Sequence, residues 1–165
     1  MSAASHTPPP LSPYLTVHDA KAAIDFYVRA FGAKELARQA TPDGSKLIHA
    51  ALALPNGGTF MLADALLPEG QSPEMKGGVS STPKSLGGSP VTLHLDLPDV
   101  KATWARAVEA GAQVKMPLAL QFWGDEYGIL EDPFGHRWSL ATRAKVATKD
   151  ELDAGAQKHF GGETK

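Results

Sequence analysis

Leu130-Glu131-Asp132-Pro133-Phe134-Gly135-His136-Arg137-Trp138-Ser139-Leu140 reads as a strand, a tight turn and a second strand. Asp-Pro opens the turn and Gly135 lets it close, while apolar residues alternate in the flanking runs. A degenerate copy lies earlier, at Leu54-Pro55-Asn56-Gly57-Gly58-Thr59-Phe60-Met61-Leu62. Pro55 matches Pro133, Gly57 matches Gly135, Phe60 matches Trp138 and Leu62 matches Leu140, each at an offset of 78. The chain is written twice, and the two hairpins belong in equivalent places.

The residues ahead of each hairpin repeat as well. Tyr14-Leu15-Thr16-Val17 has the alternation of a strand, and Asp19 is placed to accept from the free amides of a following helix. Ala23, Ile24, Tyr27, Ala30 and Phe31 then fall at helical spacing, and Gly32 is placed to end that helix in the left-handed conformation. Strands are expected over 34–39 and 46–54 around the turn Pro42-Asp43-Gly44, and again over 59–63. In the second half Leu93-His94-Leu95-Asp96-Leu97 is the strand and Asp99 the cap. Val100, Trp104, Ala107 and Val108 form the expected buried stripe of a helix that Gly111 closes. Asp19 and Asp99 lie 80 apart, Gly32 and Gly111 lie 79 apart, and the hairpins 78. Such a drift is what small deletions in loops leave after a duplication.

The chain therefore divides into an extension (1–12) containing Pro8-Pro9-Pro10 and a first βαβββ module (13–64). A Gly/Ser/Pro-rich linker or lid (65–90), a second βαβββ module (91–143) and a C-terminal helix and tail (144–165) complete one domain. Thr148 and Glu151 have capping-box spacing, which predicts a helix to about Phe160 docked through Leu152 and Phe160.

At 165 residues, 42% hydrophobic and 21% charged, the composition is that of a soluble globular protein. A net charge of −2 with scattered Lys and Arg argues against nucleic acid as a partner. The absence of Cys excludes disulfides and thiolate metal sites. No apolar stretch approaches a membrane span and the N-terminus lacks signal-peptide character, so a cytoplasmic protein with no membrane partner is expected. The spacing shows no phosphate loop and no Ser-His-Asp signature.

Strand alternation sorts side chains into a helix-facing row and an opposite row. Leu15 and Val17 face the core, as do Leu93, Leu95 and Leu97, and as do Ile48, Ala50, Leu52 and Leu54. Phe60, Leu62, Trp138 and Leu140 belong to the same row. Ser12, Tyr14, His49, Met61, Thr92, His94 and Ser139 point the other way, toward a polar, aromatic-lined site. Trp123 adds an aromatic wall, and Asp125 is read as holding its loop. Tyr127 aligns with His49 in the duplication, predicting one His-bearing and one Tyr-bearing pocket.

The order of elements, the Asp-capped helix ending Phe31-Gly32-Ala33, and the phrase Gln121-Phe122-Trp123-Gly124-Asp125-Glu126-Tyr127-Gly128 carry a likeness. So does Asp132-Pro133-Phe134-Gly135-His136-Arg137-Trp138. Over Pro13 to Thr142 the chain resembles the vicinal oxygen chelate superfamily, and within it the PhnB-like, glyoxalase/bleomycin-resistance group. The resemblance implies an α+β fold in which two βαβββ modules form curved mixed sheets around a cavity, commonly in a homodimer. It also implies that metal-dependent members draw His, Glu or Gln ligands from the first and last strands of each module. The matching positions here hold Ser12, Met61, Thr92 and Ser139, none of them an imidazole or carboxylate.

The expectation is thus a glyoxalase/bleomycin-resistance-like protein that binds a small molecule and lacks the usual metal site, with no cofactor. Tyr14, His49, Met61, Thr92, His94, Trp123, Tyr127 and Ser139 are its expected ligand-binding residues. The alternative is a lyase, isomerase or dioxygenase-type enzyme. That enzyme would use His94 or His49 as acid/base, or a displaced divalent metal on His49, His94 and Glu126.

Overall fold

Each half of the sequence lays one amphipathic helix on a four-stranded sheet, because each helical stripe needs an apolar face to cover. A computed structural model describes residues 11–66 and 81–161. The first module comprises β1 (Tyr14–Val17), α1 (Ala20–Phe31), β2 (Lys34–Ala40), β3 (Leu47–Ala53) and β4 (Thr59–Asp64). After α2 (Pro83–Leu86), the second comprises β5 (Thr92–Asp96), α3 (Val100–Glu109), β6 (Gln113–Leu120), β7 (Asp125–Glu131) and β8 (Arg137–Arg143). The strand orders β1-β4-β3-β2 and β5-β8-β7-β6 are the same pattern twice. In each sheet the first strand runs parallel to the last and the other pairs are antiparallel. The fold is α+β, with two mixed, unclosed sheets.

Asp19 accepts from Ala22 N at 2.9 Å and Asp99 from Ala102 N at 3.0 Å, so both helices start where their caps dictate. Gly32 ends α1 at φ 67°. The duplication reaches the sheet side of each helix start. Asp64 accepts from Ala20 N at 2.9 Å, and its counterpart Thr142 accepts from Val100 N at 2.8 Å.

Three local expectations are corrected. Ile48 is not core: it is an extra residue between the pairs Gln39–His49 and Ala40–Leu47, and this bulge turns Leu47 inward instead. Val108 is 41% exposed, because α3 rests on its Val100–Thr103–Ala107 face. Trp104 lies over Gly128, where a Cβ would come within 2.6 Å of its ring. Finally α4 (Lys149–Phe160), capped by the Thr148–Glu151 box, buries no residue, and Leu152 and Phe160 are 37% and 81% exposed. It docks where Gly155 lets the helix backbone meet the Phe122 ring, with His159 5.1 Å from that ring.

Of the expected linker or lid, residues 67–80 lie outside the described residues, as do the first ten residues of the extension. The linker's described end folds as α2, whose Thr82 cap and Pro83 are buried, with Pro83 against the Gly135 turn. Among the described residues no helix is long and apolar enough to cross a membrane.

The modules share one core. The Tyr27 ring sits 5.0 Å from Phe60 and 5.5 Å from Trp138, and Phe31 lies 4.8 Å from Trp138. Beneath them the buried Asp132 accepts from Tyr27 Oη at 2.7 Å and Trp138 Nε1 at 2.9 Å. It also accepts from the amides of Phe134 and His136, both at 2.9 Å. Each hairpin turn then reaches the other module's first strand. His136 Nε2 donates to Thr16 O and Asn56 Nδ2 to Asp96 O, both at 3.2 Å.

Two outcomes follow for stability. Asp132→Ala leaves the Tyr27 hydroxyl and the Trp138 N–H buried without acceptors. At about 1–3 kcal/mol per orphaned donor, urea unfolding should show a loss of about 3 kcal/mol or more, with Asp132→Asn losing less. Burial pushes the His136 imidazole below its ordinary value, against the opposing pull of Asp132 and of the Thr16 carbonyl. The unfolded chain then takes up that proton first, so stability present above pH about 6.5 is lost as pH falls through and below it. His136→Gln should flatten that slope in pH-dependent melting, and an unchanged slope would assign it to other groups.

Candidate functional site

The face of each sheet turned away from its helix gathers the expected site residues. In the first module, the register of Tyr14 and Ala51 with Met61 puts all three on that open face, together with His49. In the second, His94 and Ile129 pair with Ser139, and Tyr127 follows two residues before Ile129 on the same face. Thr92 opens β5 beside Arg137.

Tyr14 Oη and His49 Nδ1 are hydrogen-bonded at 3.1 Å, with ring centroids 5.8 Å apart. Desolvation pushes the Tyr14 phenol above its ordinary value. In the second module His94 stacks on Tyr127 at 6.1 Å and 23°. Trp123 packs edge-on to Tyr127 at 5.6 Å and to Phe122 at 5.0 Å, so an aromatic line runs from beneath α4 to His94.

The duplication pairs Tyr14 with His94 and His49 with Tyr127. Each module therefore carries one Tyr and one His, with the strands that bear them exchanged. This corrects the expectation of a His-bearing and a Tyr-bearing pocket, which compared one strand position and overlooked its neighbour.

His94 makes two further contacts. Its Nδ1 lies 2.8 Å from Ser139 Oγ and its Nε2 3.4 Å from Asp96 Oδ1. Ser139 is buried, whereas the Asp96 side chain is well exposed, so solvent weakens the longer contact. Spacing alone could not reveal this Asp-His-Ser string, because Ser139 lies on β8 whereas His94 and Asp96 share β5. The usable signal was the parallel register that makes His94 and Ser139 direct neighbours.

The displaced metal set is not assembled. Glu126 pairs with Thr142 on the helix side of β7 and binds Lys101 Nζ of α3 at 2.8 Å, away from His94. His49 is engaged by Tyr14 in the other module. Among the described residues no three His, Asp or Glu side chains converge to hold a metal ion. Of the four positions where the resemblance leads a metal site to be expected, Ser12 Oγ is buried without a hydrogen-bond partner and Ser139 contacts His94. Hydroxyls and a thioether do not offset the hydration a divalent ion gives up, so this donor set does not fit one.

Asp125 forms an ion pair with Arg143 across β7 and β8, where its reading as a loop anchor had it accepting backbone amides. A cleft of about 200 Å³ opens along the seam between the β3–β4 hairpin and β5, with His94 among its walls.

Residues 7–140 match the family profile described as Glyoxalase/Bleomycin resistance protein/Dioxygenase superfamily. The uncharacterized protein Rv0887c of Mycobacterium tuberculosis is 54% identical over 146 residues, covering 88% of this chain and 81% of that one. TioX from Micromonospora sp. ML1 superposes with a TM-score of 0.61 at 26% identity, over 81% of this chain and 97% of that one. The Arabidopsis thaliana gene product At5g48480 gives 0.59 at 31% identity, over 82% and 99%. With the duplicated modules, the sheet order and these matches in agreement, the chain belongs to the glyoxalase/bleomycin resistance protein/dioxygenase superfamily.

Proposed function

We propose that this protein binds a small molecule without a metal ion, on the open faces of its two sheets. The observation that carries the reading is the donor set: Ser12, Met61, Thr92 and Ser139 stand where metal-dependent relatives place their ligands. What the faces offer instead is stacking on Tyr127 and Trp123, beside the hydrogen-bonding side chains of Tyr14, His49, His94, Ser139 and Thr92. That combination suits a planar, hydrogen-bonding ligand.

The working unit of this reading is a homodimer in the cytoplasm, with no nucleic-acid or membrane partner. Two features support a second copy. Tyr14 is 50% exposed in the single chain, and the seam cleft of about 200 Å³ is below the usual size of a ligand pocket, roughly 300 Å³ and upward. A second copy laid across the open faces would cover Tyr14 and enclose the ligand.

One observation favours a second reading. The 2.8 Å contact of His94 with Ser139 fixes the orientation of an imidazole, the side chain best able to take and return a proton near neutrality. That arrangement would support a metal-free enzyme of the same superfamily.

Protein purified without chelator should carry no stoichiometric metal by elemental analysis and should sediment as a dimer. Planar aromatic ligands should quench Trp123 saturably, and Trp123→Ala should weaken them about tenfold, the upper end of a stacking contact. Stoichiometric metal that disappears in His94→Ala would overturn the metal-free reading. Turnover of a bound ligand that is lost in His94→Ala would favour the enzyme.

A further inference from the structure

The His94 imidazole is held on three sides by its own chain, yet its side chain stays 45% exposed. Tyr127 stacks on the ring at 6.1 Å and 23°, which sets its plane. Ser139 stands directly opposite in the parallel register, and its Oγ, 2.8 Å from Nδ1, sets the rotation within that plane. Ser139 is buried, so its hydroxyl serves the imidazole and not a ligand. The other nitrogen, Nε2, has only Asp96 Oδ1 beside it, at 3.4 Å on a well-exposed side chain. Nε2 is therefore the nitrogen that a ligand on this face would meet.

These two partners decide where the hydrogen sits. A carboxylate only accepts, whereas a hydroxyl can donate or accept. In the neutral ring one nitrogen carries hydrogen and the other a lone pair. With hydrogen on Nδ1, the Nε2 lone pair would face the Asp96 carboxylate, two acceptors with nothing between them. With hydrogen on Nε2, it points to Asp96 while Ser139 Oγ–H donates to Nδ1, and both contacts are satisfied. Protonating the ring adds a hydrogen at Nδ1, to which Ser139 turns a lone pair, and leaves Nε2–H as it was. Nε2 is a donor in either charge state. At 3.4 Å to a solvated carboxylate, its hydrogen is only partly engaged.

We infer that His94 presents a fixed N–H donor to the second open face, with the buried Ser139 as its positioning residue, and that the ligand taken there is a neutral aromatic carbonyl compound. The carbonyl oxygen would accept from Nε2–H, and the aromatic body would extend toward Tyr127 and Trp123. The Asp96 carboxylate beside Nε2 disfavours an anionic group, which sets a ketone or an amide above a carboxylate. This inference rests on the open-face reading and names the chemistry of its ligand.

The test titrates acetophenone, ethylbenzene and benzoate into the full-length protein, followed by the nitrogen–proton NMR correlations of the His94 ring. In the free protein the hydrogen should sit on Nε2. Acetophenone should shift that resonance saturably and bind about fivefold tighter than ethylbenzene, the contribution of one neutral hydrogen bond, with benzoate weaker than acetophenone. His94→Phe keeps a ring against Tyr127 and removes the donor, so acetophenone and ethylbenzene should then bind alike. Ser139→Ala should lower acetophenone affinity at unchanged ethylbenzene affinity, a split that a merely structural role would not produce. Hydrogen on Nδ1, or equal affinities in the wild type, would overturn the inference. Benzoate binding tighter than acetophenone would also overturn it, moving the anchor to Arg137, two residues before Ser139 on the same face. In each of these cases saturable quenching of Trp123 by planar ligands would still support the open-face reading. Failure of all three ligands to bind, with no such quenching, would overturn both.

Discussion

The Asp132 carboxylate is the point on which the arrangement of the two modules turns. It is buried, it can only accept, and it receives four hydrogen bonds from neutral donors. A lone buried carboxylate is strongly disfavoured, so the donors are a condition of its presence. Two come from its own hairpin turn and one from the following strand, whereas the fourth, the Tyr27 hydroxyl, comes from the helix of the other module. Burial and the neighbouring carboxylate both push the Tyr27 phenol well above its ordinary value, so it remains a donor. The ring cluster of Tyr27, Phe31, Phe60 and Trp138 then packs around a geometry that the hydrogen bonds have already set.

This joint is not duplicated, although the scaffold is. The position matching Asp132 in the first module is Leu54, and the first hairpin is tied across the seam by Asn56 instead. The helix starts show the same freedom, with Asp64 in one module and Thr142 in the other receiving the first helical amide. What the duplication preserves is the need for an acceptor at that place, not the residue that meets it. The exchange of Tyr and His between Tyr14–His49 and His94–Tyr127 obeys the same rule on the open faces.

The architecture was legible because it is written in local terms: caps at Asp19 and Asp99, a stop at Gly32, alternation along the strands, and a hairpin that occurs twice. The misjudged positions depend on what lies across the fold. Ile48 reads as core until the pairing with β2 reveals a bulge, and Val108 reads as buried until Trp104 finds its seat on Gly128. Leu152 and Phe160 read as anchors of α4, yet the helix has no apolar stripe and meets the body through Gly155. At the open faces, placement followed from alternation, but partnership did not. Nothing in the order of residues says that Glu126 answers Lys101 or that His94 meets Ser139.

The hairpin that makes the duplication recognisable also decides which chemistry the faces can support. Counting from Gly57 and Gly135 places Met61 and Ser139 in the last strands, and counting from the two caps places Ser12 and Thr92 in the first. A metal would have imposed one geometry on all four positions. On the metal-free reading these positions are free for local roles: Met61 lies opposite Tyr14, and Ser139 meets His94. Neutral hydrogen bonds and ring stacking are weaker than metal ligation and more tolerant of geometry. On the proposed reading, a face built from them would discriminate by shape and by which hydroxyls and imidazoles find partners.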